Sequence, residues 1–176
     1  KRQAVAAVGQ TGLMMEYEKA FGVYGIKVAQ ILLTGDDLNA TRDRYLNARN
    51  TLNTLLSWKI IPIVNENDTV ATDELKFGVN DTLSALVASL IGADYLFLLT
   101  DVDQLYSADP RQDPAAKPIS RVQQINQLDA DIGEAGSSWG TGGMSTKIEA
   151  ARIATAAGVH TVITQGQTPE NILKVL

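Results

Sequence analysis

Cysteine is absent from the 176-residue sequence, and histidine occurs once, at His160. Without cysteine there is no disulfide, no thiolate chemistry and no cysteine-based metal site. A single histidine also excludes the histidine clusters that bind zinc. The disulfide-stabilised, thiol-dependent and histidine-zinc classes of protein are therefore excluded.

Long apolar runs and an excess of positive charge are missing as well. No apolar run approaches the ~20 residues that span a bilayer, and the N-terminal residues lack the apolar core of a signal peptide. The 15 basic and 20 acidic residues give a formal net charge of −5, with no basic cluster. We therefore expect a cytoplasmic protein with no nucleic acid or membrane partner, although a small anionic substrate remains compatible with this charge.

The length fits one domain, over residues 1–176, and hydrophobic periodicity divides the chain into alternating elements. The spacing predicts a turn at 34–37, loops at 65–80 and 101–118, and the following helices and strands. The helices are 1–24, about 38–57, 81–91, 128–135, 144–157 and one starting at Thr168 and Pro169; the strands are 26–33, 60–64, 95–99, 119–125 and 160–164. Strand 95–99 is nearly all apolar, which is typical of a parallel strand buried on both faces. This alternation predicts an open, doubly wound α/β sheet.

Ligands of such sheets bind beyond the carboxyl ends of the strands. Polar clusters in this sequence follow Leu33, Val64 and Leu99, and another precedes Met144. Their positions predict a binding site at that edge of the sheet.

The segment Gly140-Thr141-Gly142-Gly143-Met144-Ser145-Thr146-Lys147 runs into a predicted helix. Glycines allow close approach of a phosphate, and a helix start offers free N–H groups and a positive dipole end. It is not a Walker A loop, because no glycine precedes the lysine at the required spacing. Lys147 is unfavourable at a positive helix end unless an anion binds there. The competing interpretation is a flexible loop with a solvated lysine.

Two short clusters of asparagine and aspartate lie at Asn65–Asp68 and Gly78–Thr82. Carboxylates would accept an ammonium group and amides would hold a carboxylate, as a zwitterion requires. The same residue types also form turns and helix caps. Thr100-Asp101, at the end of a buried strand, fits a ribose, a phosphate bound through Mg²⁺, or a turn cap.

Four segments occur in a characteristic order: Val-Asn-Glu-Asn-Asp, Asn-Asp-Thr-Leu-Ser-Ala-Leu, Leu-Leu-Thr-Asp-Val-Asp-Gln-Leu-Tyr-Ser-Ala-Asp-Pro-Arg and Gly-Thr-Gly-Gly-Met-Ser-Thr-Lys. Together they resemble the glutamate 5-kinases of the amino acid kinase family, over essentially the whole chain. The Thr-Asp and Tyr-x-x-Asp-Pro-Arg parts are shared with aspartate kinases. The Asn-Glu-Asn-Asp and Gly-Gly-Met-Ser-Thr-Lys loops indicate the glutamate enzymes.

This resemblance implies a three-layer α/β/α sandwich with a mainly parallel sheet, and transfer of the ATP γ-phosphate to the glutamate side chain with Mg²⁺ present. It further implies proline as a feedback ligand and a homo-oligomer. Glutamate-binding positions are Asp68, Asn80 and Asn65. Lys147 is implied as a catalytic lysine, and Asp81 as the carboxylate that orients the catalytic lysines. The implied ATP-binding positions are Thr100, Asp101, Thr141, Gly142, Gly143, Met144, Ser145, Thr146 and Lys147.

Two departures from the family pattern qualify these expectations. Val79 stands where these kinases usually have aspartate, which predicts a weaker substrate pocket. The family's N-terminal lysine strand, its glycine turn and a later Ser-Gly loop have no counterpart here, and Lys1 precedes helical sequence instead. The family also continues beyond the equivalent of Leu176, in many bacteria into an RNA-modification-like domain. We therefore expect a partial kinase domain that is inactive alone.

The main alternative is a non-catalytic module that senses glutamate or proline. Val79 favours this alternative, whereas Lys147 and Asp81 favour the enzyme. A nicotinamide dehydrogenase is excluded because no Gly-x-Gly-x-x-Gly turn follows a strand. The Asn-Glu-Asn-Asp loop disfavours specificity for aspartate, N-acetylglutamate or uridylate.

Overall fold

A computed structural model describes most of the chain, namely residues 1–39, 41–70, 79–108, 113–125, 128 and 143–176, without the side chains of Arg2, Asn39 and Val79. The chain divides into two compact units, Lys1–Leu83 and Ser84–Leu176. The assignment of a single domain to residues 1–176 stays a prediction.

The described part of the first unit pairs two parallel strands and packs helices against them. Val28 lies opposite Ile61 and Leu33 opposite Glu66 in the ladder. The first helix contacts the first strand, and the third helix contacts the second strand, burying Leu52 completely. The elements are α1 (Arg2–Gly22), β1 (Val28–Leu33), α2 (Gly35–Asn39), α3 (Arg42–Ser57) and β2 (Ile61–Glu66).

The predicted turn at 34–37 and the predicted helix start at Leu38 are wrong. The Thr34 hydroxyl accepts from the Asp37 N–H at 3.3 Å, while the Asp37 carboxylate accepts from the Thr34 N–H at 2.8 Å. This reciprocal capping box starts α2. A second cap, in which the Thr41 hydroxyl accepts from the Arg44 N–H, starts α3. Two caps thus make two helices where periodicity suggested one.

The second unit repeats the arrangement with another parallel pair, in which Tyr95 lies opposite His160 and Thr100 opposite Gln165. A short antiparallel pair follows the first of these strands. The elements are α4 (Val79–Ile91, whose residues from Ser84 belong to this unit), β3 (Tyr95–Thr100), β4 (Leu105–Tyr106), β5 (Pro118–Ile119), α5 (Met144–Ala156), β6 (His160–Gln165) and a 3₁₀ turn (Pro169–Asn171).

The core of the second unit lies between its helices and one face of the parallel pair. The buried side chains are small on the helices and larger on the strand: Ala85, Ala88, Leu98, Ala150, Ala154 and Val159. Gly92 (φ 64°) and Gly158 (φ 84°) end α4 and α5 in the left-handed conformation, which residues with a Cβ adopt only with strain. Each glycine therefore turns the chain directly into the next strand.

Four expectations for the second unit need correction. Strand 95–99 is not buried on both faces: Leu98 is 4% exposed, but Leu99 is 49% exposed, because alternate side chains point to opposite faces and only that of Leu98 meets the helices. The 101–118 loop contains β4 and the start of β5, and the predicted strand 119–125 keeps only Ile119. The terminal helix is a 3₁₀ turn without a side-chain cap, because the backbone N–H groups of Ile172, Leu173 and Lys174 donate to carbonyls three residues earlier.

The predicted helix 128–135 lies outside the described residues except for Leu128, which is buried. None of the helices in the described ranges combines the length and the hydropathy that a transmembrane span requires.

Candidate functional site

The carboxyl ends of β1 and β2 bring the first group of predicted site residues together. The Asn67 N–H donates to the Leu33 carbonyl at 2.8 Å, which continues the pairing one residue beyond the ladder. Asn65, predicted in a loop, is therefore the penultimate residue of β2. Asp68 follows the strand in an exposed turn.

Asn65 is held by two hydrogen bonds that use both ends of its side-chain amide. Its Oδ1 accepts from the Glu66 N–H at 2.9 Å, and its Nδ2 donates to Gln10 Oε1 at 3.0 Å. Gln10 belongs to α1 and was not predicted as a site residue. Gln10 lies on the half-buried face of that helix together with Ala6 and Met14. A polar residue at a helical position that otherwise faces the interior indicates a buried hydrogen bond, and this pattern could have identified Gln10 from the sequence.

Glu66 is a second residue that the sequence analysis did not assign to the site. Burial, and then the charge of Asp68, raise the pKa of the Glu66 carboxyl. Two carboxylates so close together favour binding of a cationic group, such as an ammonium, between or beside them.

Asp37, after β1, is engaged in structure. The Thr34 hydroxyl, the Thr34 backbone N–H and the Arg44 guanidinium, 3.0 Å away, hold the pKa of the Asp37 carboxyl below its usual range. Burial opposes them, with an effect smaller than that of either Thr34 hydrogen bond but larger than either the charge or the hydrogen bond of Arg44. Its charge therefore stabilises the start of α2 and leaves little capacity for a ligand.

Asn80 and Asp81 are the second and third residues of α4, so the predicted loop does not extend to Asn80. Asn80 is exposed and Asp81 half-buried. An acidic side chain in the first turn stabilises a helix, so the role of Asp81 as a helix-start residue has a physical basis beside the predicted catalytic one. The side chain of Val79 lies outside the described residues.

In the second unit, Thr100 and Asp101 lie at the carboxyl end of β3. The Thr100 hydroxyl donates to Asp101 Oδ1 at 3.1 Å, and the Thr100 carbonyl accepts from the Gly166 N–H at 2.9 Å. Just beyond, the Tyr106 hydroxyl donates to both oxygens of the Asp103 carboxylate at 3.1 and 3.2 Å. These bonds connect the side chains at and after the end of β3 to their near neighbours, and the Thr100 backbone to Gly166, which follows β6.

The start of α5 presents the features expected of an anion site. Gly143 is the cap residue and has no side chain to accept from the first N–H groups, and the first turn contains no acidic residue. Ser145 is exposed, whereas Lys147 is half-buried. Such a helix start suits a phosphate group. Thr141 and Gly142 lie outside the described residues.

Met144 connects these two segments. Its side chain is 5% exposed and packs in one cluster with Leu105 and Leu128, against which Val102 also packs. The start of α5 therefore lies beside the segment that follows β3. A buried Met144 contributes to any ligand site through its backbone, as does Gly143, while the Thr146 hydroxyl donates to the Gly143 carbonyl.

Comparisons with known proteins identify relatives of the whole chain. The sequence profile described as "Amino acid kinase family" matches residues 1–165. A glutamate 5-kinase from Nostoc punctiforme is 64% identical over 99% of this chain and 48% of that protein. One from Synechococcus elongatus is 61% identical over 100% of this chain, again 48% of the relative. The chain thus spans about half the length of these curated relatives.

A solved structure of an isopentenyl phosphate kinase is similar in fold, with a TM-score of 0.62, 19% identity, and coverage of 94% of this chain and 61% of that one. At this identity the likeness concerns the fold alone, and it agrees with the α/β architecture predicted from the sequence.

Proposed function

Because this chain belongs to the amino acid kinase family, we propose that it forms part of a glutamate 5-kinase, which transfers the γ-phosphate of ATP to the side-chain carboxylate of glutamate. The product, glutamyl 5-phosphate, begins proline biosynthesis. The observation that carries the proposal is the identity of 61–64% along the entire chain to relatives named glutamate 5-kinase. The polar groups at the strand end of each unit, taken separately, support it.

The second unit supports the nucleotide half of the reaction. ATP supplies the phosphoryl group, and its phosphates suit the N–H groups and the positive end of α5. Lys147 lies four residues after the Gly143 cap, where its charge is unfavourable unless an anion is present. In the proposal, Lys147 offsets the negative charge on the transferring phosphoryl group, and Thr100 and Asp101 contact the nucleotide.

Mg²⁺ enters the proposal with the nucleotide, because protein sites usually bind it through one or two carboxylates together with substrate phosphates. The described residues contain no group of three acidic or histidine side chains suited to a metal. We therefore assign no ligand set and no step to the metal.

The first unit supports the amino acid half. Glutamate carries an ammonium group and two carboxylates, so its site needs acceptors and donors together. In the proposal, Asp68 accepts from the ammonium, Asn65 and Asn80 hydrogen-bond the substrate, and Asp81 orients the catalytic lysines. Phosphoryl transfer then depends on alignment and charge neutralisation, without a covalent enzyme intermediate.

The resemblance also supports proline as a feedback ligand and a homo-oligomer, and the proposal includes the cytoplasmic location expected from the sequence. Proline inhibition that competes with glutamate would support the first, and sedimentation of the full-length protein would test the second. Fractionation of the source cells tests the third.

A direct assay of the full-length protein that carries this chain tests the enzyme against the sensing module. Glutamyl phosphate, formed with MgATP, is trapped by hydroxylamine as the hydroxamate. We expect hydroxamate with glutamate, and far less with aspartate or N-acetylglutamate. Binding of glutamate without any transfer would favour the sensor, and the comparisons offer no support for that alternative.

A further inference from the structure

The hydrogen bonds around Asn65 determine which way two side-chain amides face. A backbone N–H only donates, so the atom of Asn65 that meets the Glu66 N–H is the acceptor Oδ1. Nδ2 of Asn65 consequently faces Gln10, and Gln10 must present its own acceptor, Oε1, 3.0 Å away. The donor end of Gln10, Nε2, is therefore directed away from Asn65.

Gln10 Nε2 is buried, and no acceptor for it is found in the described ranges. Buried donors in folded proteins nearly always have a partner, and leaving one unpaired is unfavourable. Gln10 cannot relieve this by rotating its amide, because rotation would place a donor against the donor Nδ2 of Asn65. An acceptor from outside the described protein atoms is thus expected at Nε2.

The neighbouring groups indicate what kind of acceptor fits. Glu66 and Asp68 supply carboxylates at the same strand end, and Arg44, the nearby cation after β1, is bonded to Asp37. This end of the first unit therefore has acceptors for an ammonium group, and binding of an amino acid by the proposed function also requires a donor for its carboxylate. Gln10 Nε2 is such a donor.

We propose that Gln10 is a substrate-binding residue, whose Nε2 donates to a carboxylate oxygen of the bound amino acid while its Oε1 keeps Asn65 in place. This inference rests on the proposed function and adds to it a contact from α1. Its test must separate the two ends of the Gln10 amide, since only Nε2 is proposed to touch the substrate.

Three variants of the full-length protein distinguish the roles of Gln10 Oε1 and Gln10 Nε2 in the hydroxamate assay. Gln10→Met removes both ends, while Gln10→Glu keeps an acceptor for Asn65 but replaces the donor with a negative oxygen. Gln3→Met, at an exposed position on the same helix, is the matched control. We expect Gln10→Met to raise the KM for glutamate roughly tenfold to a hundredfold, with kcat changed by less than about threefold. Gln10→Glu should raise KM at least as much, and Gln3→Met should match wild type.

A measurement on the unmodified protein avoids any folding defect of the variants. The side-chain amide resonance of Gln10 should shift on titration with glutamate, and an unmoved resonance at saturation would contradict the proposal. Wild-type behaviour of Gln10→Glu beside an impaired Gln10→Met would also overturn it, because Gln10 would then act only by holding Asn65. An active wild-type protein with an unchanged Gln10→Met would remove this inference alone. A wild-type protein without glutamate-dependent transfer would remove the proposed function as well.

Discussion

The two strand ends, that of β2 in the first unit and that of β3 in the second, obtain their polarity by different means. At the end of β2, side chains from separate elements bond one another, with Gln10 of α1 holding Asn65. Beside the end of β3, side chains of one segment bond their near neighbours, Thr100 to Asp101 and Tyr106 to Asp103. The start of α5 adds backbone N–H groups and Lys147. Under the proposed function, the first end would determine affinity for the amino acid, and the second would neutralise phosphate charge.

Among substitutions that test this comparison, we expect the largest effect on activity beside the end of β3, which the proposal assigns to the nucleotide. In the full-length enzyme, Lys147→Ala should lower kcat roughly 10²–10³-fold while changing the KM for glutamate much less, since a preorganised charge acts mainly in the transition state. Steady-state hydroxamate kinetics measure both constants. Lys174→Ala, an exposed lysine that bonds Asn171, is the control. An unchanged kcat for Lys147→Ala would refute the assigned role.

At the end of β2, which the proposal assigns to glutamate, we expect a larger effect on KM than on kcat. Asp68→Ala should raise the KM for glutamate about tenfold to a hundredfold, because it removes a charge-assisted hydrogen bond to the ammonium group, and kcat should fall less. Asp43→Ala, an exposed acid in the first turn of α3, should leave both constants near wild type. If Asp68→Ala also left both unchanged, Asp68 would be a turn residue and the contrast between the two ends would fail.

The two strand ends also differ in how far they could be predicted from the sequence. The features at the start of α5 are local: glycines, a helix start and Lys147 lie within a few residues, so periodicity and spacing predict them. Gln10 and Asn65 are 55 positions apart, and their contact depends on how α1 packs on the strands. A single sequence contains no spacing rule for such a pair.

The order of helices and strands was predicted well, because apolar strands alternate with longer helical segments along the chain. The errors have local physical causes. Thr34 and Thr41 act as caps, which split one expected helix into α2 and α3. Leu99 is exposed although its strand is almost wholly apolar, because burial depends on what covers each face of a sheet. The roles assigned to all the predicted site residues remain predictions.

A smaller effect, on stability, is expected after β1. Asp37 has a lowered pKa in the folded protein, so its contribution to stability is present above its ordinary pKa and is lost as pH falls through the folded value. Asp37→Asn should weaken α2 at neutral pH by about 1 kcal/mol, the typical effect of a lost cap, and by much less in acid. Hydrogen exchange of a peptide covering α2 measures this. Equal destabilisation at both pH values would contradict the assigned ionic role.

The smallest effect on stability is expected at Glu66, where removing the charge should stabilise the protein, whereas at Asp37 it should destabilise it. Its pKa is raised, so the folded state holds the proton more tightly than the unfolded state does. The corresponding stability is full below the ordinary glutamate pKa and is lost as pH rises through the folded value. Glu66→Gln stays neutral throughout, and should therefore slow exchange of the β2 amides above that value and change little in acid. Because Glu66 is only half-buried, solvent screening should limit the change to about twofold.

A second variant separates the two causes of this raised pKa. Burial is the larger cause and the charge of Asp68 the smaller. Most of the slowing by Glu66→Gln should therefore persist in an Asp68→Ala background, as a double-mutant cycle measures. Complete loss of the effect in that background would mean that repulsion between the two carboxylates dominates. The end of β2 would then differ from the end of β3 by an excess of negative charge, and burial of Glu66 would contribute little to that difference.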